Sequence, residues 1–328
     1  MAVDLPTFAD IEAAAALIEP FACRTPLVEN AGLNRQLGAR VLLKLETLQR
    51  TGSFKFRGAL NRIAKLPPAE RGIGVVAFSS GNHAQGVAAA AALFGVPALI
   101  VMPKDAPRAK LEGTRAYGAE IVFYDRVKDD REAIATAMCE ERGSTLVRPF
   151  DDPDVVAGQG TVGLEIAQDA AARGVALDAV LAPCSGGGLI GGIALAFSVL
   201  SPATRVISGE LENYDGMRRS LAAGARTAAP GGALSIADGL MAPIPGEIPF
   251  ALAKRHLADT LAVGDAELAS AVAYAARTLK LLVEPSGVAG LAALISGKYA
   301  VKDKAVAVVL TGANGDFSTI AEACAGPR

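Results

Sequence analysis

Short apolar runs rich in β-branched residues alternate with alanine-rich segments along almost the whole chain. The runs are 41–45, 75–78, 98–102, 121–124, 179–182, 206–208 and 306–310. They are nearly uninterrupted in hydrophobicity, as strands covered on both faces are, and the segments between them are long enough to be crossover helices. The expected class is α/β with largely parallel sheets. Turn chemistry agrees, because Gly95-Val96-Pro97 and Tyr117-Gly118-Ala119 each close a helix just ahead of a strand. With 328 residues, 51% of them hydrophobic, the chain is long enough for two domains around a large core. No charged or Gly/Ser-rich linker splits it and no repeat appears. The Pro- and Gly-rich stretch 224–249 reads as a long connection ordered over a site.

A net charge of −2 with both signs dispersed leaves no basic stripe for nucleic acid and no polybasic membrane anchor, so the expected partners are small molecules. Cys23, Cys139, Cys184 and Cys324 are far apart and form no C-x-x-C pair, which argues against a disulfide framework or a zinc cluster and for a reducing, cytoplasmic home. Asp4, Asp10, Glu12 and Glu19 give the N-terminus the wrong charge for a targeting segment, and no appended regulatory domain is expected. The uncharged run 179–201 is broken by Pro183 and several glycines, so it reads as strand, loop and helix, not a membrane span.

Three strand-to-helix turns and one lysine carry the chemistry. Lys55 stands between Phe54 and Phe56 in Ser53-Phe54-Lys55-Phe56-Arg57-Gly58. Apolar neighbours disfavour the charged amine, lowering its pKa and leaving it able to form a Schiff base; the plainer reading is a surface lysine lying on the two rings. Ser79-Ser80-Gly81-Asn82-His83 opens a helix, where free backbone N–H groups and the helix dipole suit a carboxylate or phosphate, or where Ser80 or Asn82 simply caps the first turn. Ser185-Gly186-Gly187-Gly188-Leu189 also opens a helix and can wrap an anion. The same run satisfies G-x-G-x-x-G through Gly186, Gly188 and Gly191, with Glu210 near the distance expected of a ribose-binding acid, so an NAD-dependent oxidoreductase is a rival; glycines for close helix packing are a further alternative. Thr311-Gly312-Ala313-Asn314 follows the last strand and would set a hydroxyl at the C-terminal end of the sheet. Two histidines cannot make a three-histidine metal site, and H-E-x-x-H, the phosphate-loop lysine motif and G-x-S-x-G are all missing from the sequence.

Together with Ala237-Asp238-Gly239 and Glu284-Pro285-Ser286-Gly287, these motifs resemble, in order and across nearly the whole chain, the serine/threonine dehydratase and serine racemase family of pyridoxal phosphate (PLP) enzymes of fold type II. The resemblance implies two open, twisted, mostly parallel sheets flanked by helices. A large PLP-binding domain would comprise 1–50 and 148–328, and a small domain, 51–147, would carry the Ser-Gly-Asn loop. It implies that Lys55 holds PLP as a Schiff base, that Phe54 packs near the ring, and that Ser185, Gly186, Gly187, Gly188 and Leu189 cradle the phosphate. Asn82 would contact the ring hydroxyl, Thr311 would face the pyridine nitrogen, and Gly239 belongs to the same cofactor set. Ser79, Ser80, Gly81, Asn82 and His83 would bind the substrate carboxylate.

The implied activity is an ammonia-lyase that removes the β-hydroxyl of L-threonine or L-serine to give a 2-oxo acid and ammonia, with Lys55 taking the Cα proton. Serine racemase, with Ser80 acting from the opposite ring face, and a β-hydroxyaspartate ammonia-lyase, with Arg131 meeting a second carboxylate, are alternatives on the same scaffold. A protein that binds PLP or amino acids without turnover is a third class. Family members also bind a divalent cation such as Mg2+; Glu210 matches one ligand, but Gly216 stands where an Asp is common, with Asp215 beside it. The expected assembly is a homodimer or homotetramer.

Overall fold

The computed structural model describes residues 3–106 and 108–325. Its strands are β1 (Leu27–Glu29), β2 (Arg40–Leu45), β3 (Val75–Phe78), β4 (Ala98–Pro103), β5 (Glu120–Tyr124), β6 (Thr145–Leu146), β7 (Ala179–Pro183), β8 (Arg205–Leu211), β9 (Asp259–Val263) and β10 (Ala305–Leu310). They form a six-stranded sheet in the order β1-β2-β10-β7-β8-β9 and a four-stranded sheet in the order β5-β4-β3-β6. Every pairing is parallel except β1 with β2.

The uninterrupted apolar runs are explained by burial on both faces. Along β10, Val306, Val308 and Leu310 enter one core with the helices Asp265–Tyr274 and Ala289–Ile295, while Ala307 and Val309 enter a second with Pro153–Ala172 and Gly188–Leu200. The smaller sheet repeats the scheme. Val75, Ala77 and Ile100 face the helices Lys55–Ala64 and Asn82–Leu93, and Val76, Phe78 and Val101 face Arg131–Arg142. The seven expected strands are all present. Unforeseen were β1, β6 and β9, two of which have three residues or fewer and the last of which is a half-buried edge; none carries the long apolar run that marks an interior strand.

The helix Lys55–Ala64 is drawn unusually close to Pro153–Ala172. A Cβ added at Gly158 would lie 2.6 Å from the Gly58 Cα, and one at Gly192 would lie 2.6 Å from the Gly160 backbone nitrogen. These glycines let three helix backbones touch, which anchors the first turn of Lys55–Ala64. Stretch 224–249 carries a short 3-10 turn, Asp238–Leu240. Among the described residues no helix is long and apolar enough to cross a membrane, and all four cysteines are free.

Candidate active site

Parallel sheets gather the starts of their following helices at the C-terminal strand ends, and three such strand ends meet here, two of them with their helix starts. β3 runs into the turn before Asn82–Leu93, β7 into the loop before Gly188–Leu200, and β10 into Thr311. An isolated antiparallel bridge, Ser53 with Gly312, ties the segment before Lys55 to the end of β10, and Phe54 N donates to Thr311 O at 3.1 Å. One cavity is lined by Phe54, Lys55, all of Ser79 to His83, all of Ser185 to Leu189, Gly239 and Thr311. Lys110, Arg126, Arg131, Phe150, Asp238 and Glu284 also contribute to its wall.

Lys55 Nζ donates to Pro149 O at 2.6 Å and stands 5.3 Å from the centroid of the Phe54 ring. Phe56 does not share the cavity: one step further round the helix, it is fully buried in the core of the smaller sheet. Burial lowers the Lys55 pKa from its usual 10.5 to about 8. The Nε2–H of His83 donates to Val147 O at 2.9 Å, and burial followed by the charge of Lys55 takes its pKa down to about 3, so the ring is neutral. His83 therefore offers its backbone N–H to the turn, while its ring Nε2 is spent on the chain and its Nδ1 is buried without a partner among the described residues.

Both anion turns keep donors open. Gly187 has φ +95° and ends the loop at the first turn of Gly188–Leu200; among the described residues the N–H groups of Gly186 to Ile190 have no protein acceptor. In the other turn Gly81 N is taken by Ser79 Oγ at 3.1 Å, whereas the N–H groups of Ser80, Asn82 and His83 have no acceptor among the described residues. Ser185 Oγ accepts from Ala242 N at 3.1 Å and Ser286 Oγ from Gly239 N at 2.9 Å, which draws the 224–249 connection over the cavity. The glycines of the loop also have a packing reason: a Cβ on Gly186 would lie 2.2 Å from the Phe150 ring.

Glu210 lies outside this cavity. Its Oε1 accepts from Met217 N and its Oε2 from Arg218 N, both at 2.8 Å, so the carboxylate holds the start of the helix Gly216–Ala223. Burial, eased by these bonds, raises its pKa to about 8. Asp215 is taken by Arg218 and Arg219. Both carboxylates named for a cation are thus committed to the chain, no group of three metal-binding side chains stands together among the described residues, and the acid of the dinucleotide alternative is not presented to a ribose.

The residue patterns did not single out Phe150, Lys110 or the Asn82 contacts. Asn82 Nδ2 donates to Glu284 Oε1, and Asn314 Nδ2 donates to Asn82 Oδ1 at 2.9 Å. Lys110 Nζ donates to Asp238 Oδ2 at 2.7 Å, both residues lining the cavity, and its stem fills the space beside Gly81. Glu284 and Asn314 sit in visible motifs; Lys110 and Phe150 sit in no pattern at all.

Comparison with known proteins agrees with this geometry. Residues 18–312 match the model of the pyridoxal-phosphate dependent enzyme family. The chain is 43% identical over 319 residues to the L-threo-3-hydroxyaspartate ammonia-lyase of a Pseudomonas species, covering 97% of this chain and 98% of that one. It is 41% identical over 314 residues to the L-threonine ammonia-lyase of Thermotoga maritima, covering 96% and 77%. The structure of maize serine racemase superposes with a TM-score of 0.91 at 34% identity, covering 97% of each chain. The chain belongs to the pyridoxal-phosphate-dependent enzymes of fold type II, in the branch of the serine/threonine dehydratases and serine racemases.

Proposed function

We propose that this protein is an ammonia-lyase that converts a small β-hydroxy amino acid, L-threonine or L-serine, to a 2-oxo acid and ammonia. The observation that carries the reading is the convergence on one cavity of an amine with a pKa of about 8 and two separate sets of unspent backbone N–H donors. These features fit pyridoxal phosphate: Lys55 for the aldehyde carbon, the amides of Gly186 to Leu189 for the phosphate, Phe54 and Asn82 beside the ring, and Thr311 for the pyridine nitrogen. Bound there, the cofactor supplies an electron sink for negative charge formed at Cα.

The chain's own residues do the rest. The open N–H groups at Ser80, Asn82 and His83 hold the substrate carboxylate at the positive end of a helix. The Lys55 amine would be the group to take the Cα proton; at a pKa near 8 a useful fraction is neutral at physiological pH. Thr311 presents a neutral hydroxyl where a carboxylate would favour a protonated ring nitrogen, which favours loss of the β-hydroxyl over transamination. Ser80, if it delivers a proton to the other face of Cα, adds racemisation. The reading divides the chain into 1–50 with 148–328, and 51–147, and sets it in the cytoplasm as a symmetric dimer or tetramer. Glu210 serves a helix start in this reading, since a cation there would have to displace two backbone N–H bonds.

One observation favours a second reading of the substrate. Arg131 lines the cavity over the Phe78 ring, 5.6 Å from its centroid, and forms no ion pair among the described residues. A free guanidinium suits a substrate with a second carboxylate, which is what the name of the Pseudomonas relative describes.

The test is an absorption spectrum of the purified protein with pyridoxal phosphate, before and after each amino acid, with 2-oxo acid followed in parallel. A visible band that vanishes in Lys55→Ala, together with 2-oxo acid from L-threonine or L-serine, supports the lyase. A protein that remains colourless refutes it. Arg131→Met decides between substrates. It should raise KM about ten- to a hundredfold for L-threo-3-hydroxyaspartate and move L-threonine far less. Equal effects on both remove the dicarboxylate reading.

A further inference from the structure

We infer that Glu284 and Asn314 are positioning residues that set which way round the Asn82 amide stands in the cavity. The inference rests on the pyridoxal-phosphate reading and extends it to two residues which that reading leaves idle.

An asparagine side chain carries an oxygen and an NH2 of nearly equal size, and its two orientations offer opposite chemistry to a ligand. Here the neighbours leave one choice. Thr51 O can only accept, so Asn314 turns its Nδ2 toward it, at 2.7 Å. The second N–H of that nitrogen reaches Asn82 at 2.9 Å, where it requires an oxygen. On the opposite side Asn82 meets Glu284 Oε1, and a carboxylate requires the nitrogen there. Both ends of the amide are specified by groups whose own roles are not interchangeable.

Glu284 is well suited to the task because it is held in place. It is 2% exposed, its N–H donates to Gly312 O at 2.9 Å, and a Cβ on Gly312 would lie 2.4 Å from its Oε1. Burial raises its pKa above the usual carboxylate value, with Asp238 adding to that, while the Lys110 ammonium and the Asn82 bond favour the charged form. The net arrangement leaves Asn82 with its oxygen spent, one N–H spent, and one N–H unspent on a residue that lines the cavity. The site thus presents a donor and not an acceptor at this point. A donor stabilises an ionised ring hydroxyl, and an acceptor would oppose it.

The experiment compares the cofactor-loaded wild type with Glu284→Gln, Asn314→Ala and Asn82→Ala, and with the two double variants that contain Asn82→Ala. Glutamine can turn either end toward Asn82, and alanine at 314 removes the other pin. Each single variant should shift the visible band and its pH titration and lower kcat/KM about tenfold or more. In the Asn82→Ala background, neither change should cost more than about a further twofold. Losses that multiply in that background, or single variants with the wild-type spectrum, would overturn the proposal. Asn314→Ala, at a half-buried position, carries the same comparison if Glu284→Gln fails to fold. A wild type that takes up no cofactor refutes the reading of the site itself, and this proposal with it, before any variant is compared.

Discussion

Arg57, two residues beyond Lys55, offers the sharpest test of what holds the lysine-bearing helix in place. It is 1% exposed, and its guanidinium donates to both oxygens of Glu46 at 2.8 Å, to Glu165 Oε1 and Oε2 at 2.6 and 2.9 Å, and to Thr161 Oγ1 at 3.2 Å. Lys44, with no exposed surface, adds a second cation on Glu165, so two cations balance two carboxylates. Arg57→Met keeps most of the volume but leaves one cation for both acids, and Glu46 then has no ion partner among the described residues. Removing one member of such a buried pair costs about 3–5 kcal/mol, because the partner stays desolvated and uncompensated.

The pH dependence carries a sign. Burial would raise the Glu165 pKa, but Arg57 and then Lys44 hold it below the usual carboxylate value. A carboxylate depressed in the folded state stabilises above its unfolded pKa, and that contribution is lost as pH falls through the folded value. Without Arg57 the contribution shrinks, so the gap between wild type and variant should be widest at neutral pH and narrow below about pH 4. Urea unfolding of the holoenzyme, followed by far-ultraviolet circular dichroism at both pH values, measures it. Arg57→Lys should recover less than half of the loss, since an ammonium lacks the fork that serves two carboxylates. A variant within about 1 kcal/mol of wild type at pH 7, or a gap that widens in acid, refutes the reasoning.

Two further outcomes are expected. Without cofactor, the Lys55 amine with its pKa near 8 binds fewer protons in the folded chain than in the unfolded one between pH 8 and 10.5, so its cost is full below pH 8 and relieved as pH rises. Apo Lys55→Met should therefore be about 2 kcal/mol more stable than the apo wild type at pH 7, with the gap closing toward pH 10.5 in thermal melts; no difference at pH 7 would count against a shielded charge. Gly186→Ala drives a methyl into the Phe150 ring, 2.2 Å away, and should weaken cofactor retention about tenfold while costing about 1–3 kcal/mol of stability; unchanged affinity and melting would rule out the close contact.

The α/β class, the interior strands and the turns that bear the chemistry were legible because they are local. A doubly covered parallel strand must be apolar at consecutive positions, and the glycines at 186 to 188 mark a loop whatever surrounds it. What local pattern does not carry is the identity of a partner distant in the chain. Glu210 looks the same in sequence whether it binds a ribose, a cation or two backbone N–H groups, and only the packing of Gly216–Ala223 against the end of β8 selects the last. Phe56 reads as a second aromatic wall for Lys55 until the helix turns it into the core.

The sequence alone determined that this chain folds as layered parallel sheets, with Lys55 and three strand-to-helix turns at its disposal, because periodicity and turn chemistry are written residue by residue. The tertiary structure decided that these pieces share one cavity and that the Asn82 amide is pinned by Glu284, 202 residues away, and by Asn314, 232 residues away. It also decided that the first turn after Lys55 rests on a buried cluster joining Lys44, Glu46, Arg57 and Glu165. Pairings over such separations are set by which surfaces the sheets and helices bring together, and no short-range pattern encodes them.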